Sequence, residues 1–151
     1  MELLWSTGIR RGEVEKLDTW SADFTRRMLT IVQGKGKSER AVSVAERALW
    51  WLARYLHHVW PEVLVTPDCK ALFLSLDGVA VLTAGGITMA VLPYLRSAGI
   101  DKVSCHLFRH AMATQMLENG ADLRWIQAML GHRSVESMQI YTQVSTGRWR
   151  R

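Results

Sequence analysis

The amino-acid sequence predicts a mostly α-helical domain with a small three-stranded antiparallel β-sheet, an α+β class. Two observations support this class. Apolar residues recur at helical spacing in segments bounded by glycine, proline or a capping residue, and strand-type residues cluster in two short runs joined by a loop rich in glycine and lysine. With 151 residues, of which 48% are hydrophobic, the chain is long enough for one core and too short for two independent ones.

The first third of the chain holds the predicted sheet. MELLWSTGIRRGEVEKL predicts a short apolar piece, a break at Thr7 and Gly8, and a helix that begins at Arg10 and places Val14 and Leu17 on one side. Strand-type runs over 28–32 and 41–44 predict a β-hairpin, and a third strand is expected around 18–22.

The middle of the chain is less regular. Residues 45–60 predict a helix, because Leu49, Leu52 and Leu56 recur at helical spacing and Pro61 lies just beyond. In residues 61–86 the run ALFLSL suits either a short buried strand or a turn into a loop. A helix is expected over 88–97, with a glycine closing it.

The last third predicts three helices. HLFRHAMATQMLENG forms the first and ends at Gly120, and Asp122 is a suitable N-cap for the second, whose apolar stripe ends before Gly131. Ser134 can cap a further short helix that leads to Tyr141.

Composition limits the function classes. A formal charge of +5 and a pI near 9.6 favour a polyanionic partner. A membrane protein is disfavoured, because no window offers about 18 apolar residues without charge and the N-terminus does not resemble a signal peptide. Cys69 and Cys105 are too few for a disulfide framework and have no CxxC spacing, so we expect two reduced thiols in a cytosolic protein.

Two apparent cofactor motifs fail on spacing. GKGKS contains the last residues of a phosphate-binding P-loop motif. That motif also requires a glycine five positions before Gly36, and this position is occupied by Ile31. His106 and His110 lie one helical turn apart beside Cys105, yet zinc needs three or four ligands and no further partner stands at a familiar spacing. The sequence therefore predicts neither a nucleotide site nor a metal site.

The residues that could carry chemistry are mainly cationic. Arg10 opens a predicted helix, Arg109 follows His106 by one turn, and His132 precedes Tyr141. Two guanidiniums can hold both non-bridging oxygens of a phosphodiester and stabilise the charge that builds in the transition state. Histidines can transfer protons near neutral pH, and neighbouring cations can activate a tyrosine hydroxyl as a nucleophile.

Each of these residues also has a structural interpretation. In the hairpin loop, Lys35 or Lys37 could deliver a proton or contact phosphates, but a lysine pair in a turn is more often solvated. Taken singly, Tyr141 is more often a packed aromatic and His132 a helix cap. The functional interpretation therefore depends on the whole set.

Five motifs occur in the order in which they resemble those of the tyrosine recombinase, or phage integrase, family of DNA strand-exchange enzymes. TGIRRGE resembles the first-arginine box, GKGKSER the lysine hairpin, HLFRHAMATQMLENGADLRWIQAMLGH the H-x-x-R and Leu-Gly-His boxes, and IYTQV the nucleophile segment. The resemblance covers nearly the whole chain and favours Lys35 over Lys37. The catalytic residues that it implies are Arg10, Lys35, His106, Arg109, His132 and Tyr141.

The resemblance implies the catalytic-domain fold of tyrosine recombinases and a reaction without metal, ATP or other cofactor. Tyr141 attacks the scissile phosphate and leaves a 3′-phosphotyrosyl bond and a free 5′-hydroxyl. Arg10 and Arg109 hold the phosphate, Lys35 protonates the leaving 5′-oxygen, and the two histidines assist. The departures from the family pattern remove no catalytic position; they are Lys37, Phe108 and Gln143.

The resemblance also implies domain organisation and partners. Residues 1–151 are expected to be a single catalytic domain that lacks the family's N-terminal DNA-binding (core-binding) domain and has a short C-terminal tail. Double-stranded DNA is the expected partner, contacted by Arg11, Lys37 and Arg40. A homotetramer on DNA is expected for a full-length parent and a monomer for this chain, in a cytoplasmic, DNA-associated location.

Two other functions remain open. The segment HAMATQMLENGADLRWIQAMLGHRSVESMQIY superficially resembles helix-turn-helix segments of repressors, which would make the chain a non-catalytic or decayed DNA-binding module. This alternative explains the basic charge but gives no role to Arg10 or to the lysine loop. Nicking and resealing like that of type IB topoisomerases is closer, because the chemistry is shared.

Overall fold

The structure, a computed structural model, describes residues 1–33, 38–100 and 105–131. Helices predominate, and the strands form one three-stranded antiparallel sheet in the order β1-β2-β3, which confirms the predicted class. The elements in chain order are α1 Glu2–Thr7, α2 Arg11–Val14, β1 Ala22–Asp23, β2 Met28–Gln33, β3 Ser38–Ser43, α3 Glu46–His58, α4 Trp60–Val63, α5 Ala84–Ser97, α6 His106–Glu118 and α7 Leu123–Leu130.

The break predicted at Thr7 and Gly8 separates α1 from α2. The Thr7 hydroxyl donates to the Leu3 carbonyl at 2.6 Å and accepts from the Ile9 N–H, and Gly8 has a φ of 60°, a left-handed conformation that favours glycine. The predicted helix start is confirmed, since Arg10 is the N-cap of α2. The helix is a single turn that ends at Val14, so Leu17 is buried beyond it rather than on it.

The sheet confirms the predicted hairpin. In the β2–β3 ladder Leu29 pairs with Val42 and Ile31 pairs with Arg40. Because side chains of a strand alternate between faces, these four residues share one face, and Leu29, Ile31 and Val42 are buried there. The third strand lies at the end of the expected range, while Asp18 forms only an isolated bridge with a later loop.

The middle of the chain corrects two expectations. Helix α3 ends at His58 rather than at residue 60, and Pro61, just beyond it, lies in the first turn of α4, where a proline sacrifices no hydrogen bond. ALFLSL forms isolated bridges rather than a strand: Leu72 and Leu74 point inward, and Leu76 is fully exposed. Helix α5 begins before the predicted residue 88, because the Thr83 hydroxyl accepts the Gly86 N–H and caps it.

The last helices follow their predicted caps. Helix α6 ends before Gly120 at φ 80°, the Asp122 carboxylate accepts the Arg124 N–H at the start of α7, and Gly131 closes α7 with a φ of 62°. The helix predicted from Ser134 lies outside the described residues.

The core positions α6 and α7 against the turn between α1 and α2. Helix α1 packs on α3 and α6, and α7 packs on α6 and β3. The main core joins apolar residues of α1, the sheet, α3 and α5, and a second cluster, which includes Met112 and Leu130, lies between α6 and α7. Among the described residues no helix is long and apolar enough to cross a membrane.

Candidate active site

Three of the six residues predicted to be catalytic lie in the described part of the chain: Arg10, His106 and Arg109. Arg10 caps α2, His106 is the first residue of α6, and Arg109 follows one turn later. The fold brings these segments together at the C-terminal end of α7. Lys35, Lys37, His132 and Tyr141 lie outside the described residues, so their roles stay predictions.

An open cavity of about 370 Å³ lies beside this junction. Its lining is mostly basic and consists of Arg10, Arg11, Gly12, Glu13, Lys16, Val32 and His106. Lys16 was not predicted, although its place just after the first-arginine box could have suggested it. Val32, near the end of β2, precedes the predicted Lys35 by three positions and reaches the same cavity. A cationic cavity of this kind suits an anionic group such as a phosphodiester.

Arg109 is almost fully buried, with 4% of its surface exposed. Its Nη1 donates to the Gly8 carbonyl at 2.7 Å, and its Nη2 donates to the Leu130 carbonyl at 2.5 Å. Burying a guanidinium is costly unless its N–H groups find acceptors. Arg109 therefore ties α6 to the turn between α1 and α2 and to the end of α7.

Three arginines donate to three consecutive carbonyls at the end of α7. The Arg40 Nε donates to Met129 at 3.1 Å, the Arg109 Nη2 to Leu130 at 2.5 Å, and the Arg10 Nη2 to Gly131 at 3.4 Å. The last carbonyls of a helix lack intrahelical partners and carry the negative end of its dipole. We call Arg10, Arg40 and Arg109 the arginine cap; it secures the turn directly before the predicted His132.

Glu13 joins two members of the arginine cap. Its Oε1 accepts from the Arg40 Nη1 at 2.8 Å and from the Arg10 Nη1 at 3.2 Å, and its Oε2 accepts from the Arg40 Nη2 at 2.9 Å and from the Arg10 backbone N–H at 2.9 Å. Sequence reasoning missed Glu13. The signal was its position three residues after the helix-capping Arg10, where an acidic side chain can accept the cap N–H.

The ionisation of Glu13 reflects these partners. Burial alone would raise the pKa of the carboxyl, but the Arg40 hydrogen bonds, the Arg10 backbone N–H and the charges of both arginines hold the pKa below its ordinary value. Because the folded pKa is depressed, the carboxylate contributes stability that is fully present above the ordinary carboxyl pKa, and this contribution is lost as the pH falls through the folded pKa.

Replacing Glu13 by glutamine is therefore expected to change the pH dependence of unfolding. The wild-type urea midpoint should fall as the pH is lowered from about 5 to about 3, whereas the Glu13→Gln variant should start from a lower midpoint at pH 7 and fall less steeply. Glu62→Gln, at an exposed position of α4, should reproduce the wild-type slope. A Glu13→Gln variant with the wild-type slope would contradict the assignment.

The histidines of α6 and Arg11 differ in environment. His106 and His110 have much of their surface exposed on α6. Desolvation of the covered part of the His110 imidazole, together with the charges of His106 and Arg109, lowers the pKa of His110. The exposed Arg11 donates to the Thr88 hydroxyl at 3.0 Å. The described residues contain no group of three or more histidine, cysteine or acidic side chains that could hold a metal ion.

Arg40, predicted to contact DNA, is largely enclosed by other residues of the fold. Its side chain is 13% exposed, and its guanidinium is engaged by Glu13 and by the Met129 carbonyl. The sheet register explains this, because Arg40 pairs with the buried Ile31 and shares its inward face. The DNA contacts predicted for Arg11, which lines the cavity, for Lys37 and for Arg40 stay predictions.

Comparison with known proteins relates the chain to the phage integrase family. Residues 1–148 match the model of the phage integrase family. Tyrosine recombinase XerC 2 of Ralstonia nicotianae is 47% identical over 146 residues, which cover 96% of this chain and 42% of that protein. Tyrosine recombinase XerD of Lacticaseibacillus casei is 39% identical over 145 residues, which cover 95% of this chain and 49% of that protein. The chain thus spans about half the length of these relatives.

Solved structures agree with this match. The crystal structure of XerA recombinase superimposes with a TM-score of 0.83 at 32% identity, covering 99% of this chain and 57% of that one. The XerH site-specific recombinase bound to a palindromic difH substrate, a post-cleavage complex, gives a TM-score of 0.80 at 27% identity, covering 97% and 42%. The fold, the order of the motifs and these matches together show that the chain belongs to the phage integrase family of tyrosine recombinases.

Proposed function

We propose that the chain is the catalytic domain of a site-specific DNA recombinase, which cleaves and rejoins DNA strands through a 3′-phosphotyrosyl intermediate. One observation carries the proposal. Arg10 and the α6 residues His106 and Arg109, which lie far from it in the sequence, meet beside a basic cavity at the turn that precedes His132. The relatives named as recombinases, one of them in a post-cleavage complex with its difH substrate, support the same activity.

In the proposed reaction the Tyr141 oxygen forms a bond to the scissile phosphorus as the bond to the 5′-oxygen breaks. Arg10, whose side chain is 36% exposed, offers its guanidinium to a non-bridging oxygen from the cavity. Its 3.4 Å bond to the Gly131 carbonyl is long, so a phosphate oxygen can replace that acceptor. Lys35 protonates the leaving 5′-oxygen, and His106 and His132 donate hydrogen bonds or protons.

Arg109 has a double role in this proposal. Its charge lies next to the Gly8 and Leu130 carbonyls, where it adds to the positive potential at the phosphate. Its hydrogen bonds also fix the relative positions of α1, α6 and α7. A reaction that depends on placing groups to within fractions of an ångström benefits from such a buried tie.

Double-stranded DNA is the proposed substrate, and a homo-oligomer on DNA is the proposed assembly for the whole protein. The net charge of +5 and the basic cavity favour DNA over uncharged partners. Family membership disfavours the helix-turn-helix alternative, because the match to the phage integrase family covers residues 1–148 and the named relatives are recombinases.

A suicide-substrate assay with randomly nicked DNA tests the proposal, because some of the nicks fall close to the scissile bond whatever the target site is. Nicked duplex fragments of the source genome are incubated with the protein; a nick close to the scissile bond lets the short cleaved product leave and traps the covalent adduct. We expect labelled DNA to remain on the protein in a denaturing gel, and mass spectrometry to locate the residual nucleotide on Tyr141.

The control substitutes tyrosine by phenylalanine at two positions. Tyr141→Phe should abolish the adduct, whereas Tyr94→Phe, at a 62% exposed position of α5, should leave it unchanged. Wild-type protein that forms no adduct, or an adduct that persists in Tyr141→Phe, would refute the proposed function.

A further inference from the structure

We propose that Arg40 is a positioning residue, which orients Arg10 through Glu13 and secures the end of α7, rather than a residue that contacts DNA. The inference rests on the proposed function, since it assigns Arg40 a role in the same site. It differs from the expectation drawn from sequence, in which Arg40 belongs to the DNA-binding surface.

The position of Arg40 in the sheet is the first argument. Arg40 lies on β3 directly opposite Ile31, which is fully buried. The side chain therefore projects to the inward face of the sheet, toward α2 and α7, and remains only 13% exposed. A side chain that contacts DNA would be expected on a solvent-exposed face, as Arg11 is.

The engagement of its guanidinium is the second argument. Nη1 and Nη2 bind the two oxygens of Glu13 at 2.8 and 2.9 Å, and Nε binds the Met129 carbonyl at 3.1 Å. Parallel bonds to both oxygens of a carboxylate are the most directional arrangement that an arginine makes. The side chain is only 13% exposed, and a phosphate that took the place of Glu13 would leave a buried carboxylate without its main partner.

The sharing of Glu13 links Arg40 to Arg10. The same carboxylate accepts the Arg10 Nη1 at 3.2 Å and its backbone N–H at 2.9 Å. The Arg40 Nη1 lies 2.8 Å from the Glu13 Oε1, whereas the Arg10 Nη1 lies 3.2 Å from it. Arg40 therefore takes most of the carboxylate's hydrogen-bonding capacity, and the hydrogen bond to Arg10 is weaker. Without Arg40, Glu13 would pair fully with Arg10, neutralising its charge and drawing it away from a phosphate in the cavity.

Two alternatives make different predictions. If Arg40 contacted DNA, its removal would weaken DNA binding and lower the salt dependence of the affinity, because one phosphate contact would be lost. If Arg40 were only structural, its removal would lower stability and leave the geometry of Arg10 unchanged in the protein that remains folded. A positioning role instead changes Arg10 itself and slows the chemical step.

The first measurement does not depend on activity. The protein is labelled with ¹⁵N-arginine, and the Nε–H resonances are assigned by substitution. Arg40→Gln should shift and broaden the Arg10 resonance and leave the Arg11 resonance unchanged. Glu13→Gln should perturb the Arg10 resonance as well. An Arg10 resonance that stays at its wild-type position in folded Arg40→Gln would overturn the proposal.

The second measurement separates binding from chemistry on the DNA fragment captured in the suicide assay. Arg40→Gln should slow adduct formation at saturating DNA by about 10- to 100-fold, the range expected when a catalytic group is misplaced by about 1 Å. The Kd for DNA and its salt slope should remain near wild type. Arg40→Lys, which keeps the charge but not the paired bonds, should recover only part of the rate. Arg54→Gln, at an exposed position of α3 over Trp50, is the matched control.

The outcomes distinguish the two proposals. Wild-type protein without a Tyr141 adduct refutes the proposed function, and the resonance of Arg10 still decides the role of Arg40. An adduct rate that is unchanged in Arg40→Gln, or a loss confined to Kd and its salt slope, overturns the positioning role while the proposed function stands.

Discussion

Replacement of Arg109 by alanine is expected to lower the free energy of unfolding by about 3 to 5 kcal/mol and to abolish strand cleavage. The change removes the donors to the Gly8 and Leu130 carbonyls and leaves a gap between α6 and α7 that neighbouring side chains can fill only in part. Urea unfolding followed by tryptophan fluorescence gives the free energy, and the suicide assay gives the cleavage rate.

Arg124 provides the control substitution for this experiment, because it is an arginine outside the buried network. It lies at an exposed position of α7, so Arg124→Ala should change the free energy of unfolding by less than about 0.5 kcal/mol. Arg109→Lys keeps a buried charge but cannot reach both carbonyls with one ammonium, and it should fall between wild type and Arg109→Ala. An Arg109→Ala protein as stable as Arg124→Ala would show that the buried tie contributes nothing to the fold.

Replacement of Gly8 by alanine should lower the free energy of unfolding by about 2 to 4 kcal/mol. The φ of 60° strains a residue with a Cβ, and a Cβ at this position would come within 2.3 Å of the Met112 Cε and 2.8 Å of the Leu130 Cδ2. Both side chains would have to move, and Leu130 belongs to the turn held by the arginine cap. Thermal unfolding by circular dichroism measures the loss.

Two other glycines separate strain from crowding in this prediction. Gly99 has a φ of 75°, but a Cβ added there would meet no described atom within 4 Å, so Gly99→Ala should show the backbone strain alone. Gly12 has neither a positive φ nor a close neighbour and lies in α2, where alanine is the better helix former. Gly12→Ala should therefore cause neither strain nor crowding. The prediction for Gly8 fails if Gly8→Ala loses no more stability than Gly99→Ala.

The sequence was sufficient where the determinants of structure are local. The ends of α6 and α7 follow from Gly120, Asp122 and Gly131, because capping acts within a few residues of the helix end. The hairpin likewise follows from two strand-type runs and a glycine-rich connection. Residues 61–83 were not predictable, since an apolar run such as ALFLSL does not specify whether its backbone pairs with a strand or with isolated residues of a distant loop.

In the candidate site, too, the sequence predicted some features and missed those that depend on long-range contacts. Motif order was enough to name Arg10, His106 and Arg109, which the structure brings together. It did not reveal the network that holds them, because Arg40 meets Glu13 across 27 residues and Met129 across 89. Such contacts depend on strand register and on how α7 packs against the sheet, and no single-sequence pattern records either.

The arginine cap has a consequence for how mutations in this region behave. Its acceptors are main-chain oxygens of residues 129–131, and every amino acid supplies one. Substitution of a side chain at these positions cannot delete an acceptor; it can only displace one by altering the backbone, as loss of the left-handed Gly131 would. The donors of the network therefore depend on which amino acid stands at positions 10, 40 and 109, whereas the acceptors depend only on the conformation of the backbone. A mutational scan would detect the arginine donors directly, and it would detect the main-chain acceptors only through substitution of Gly131.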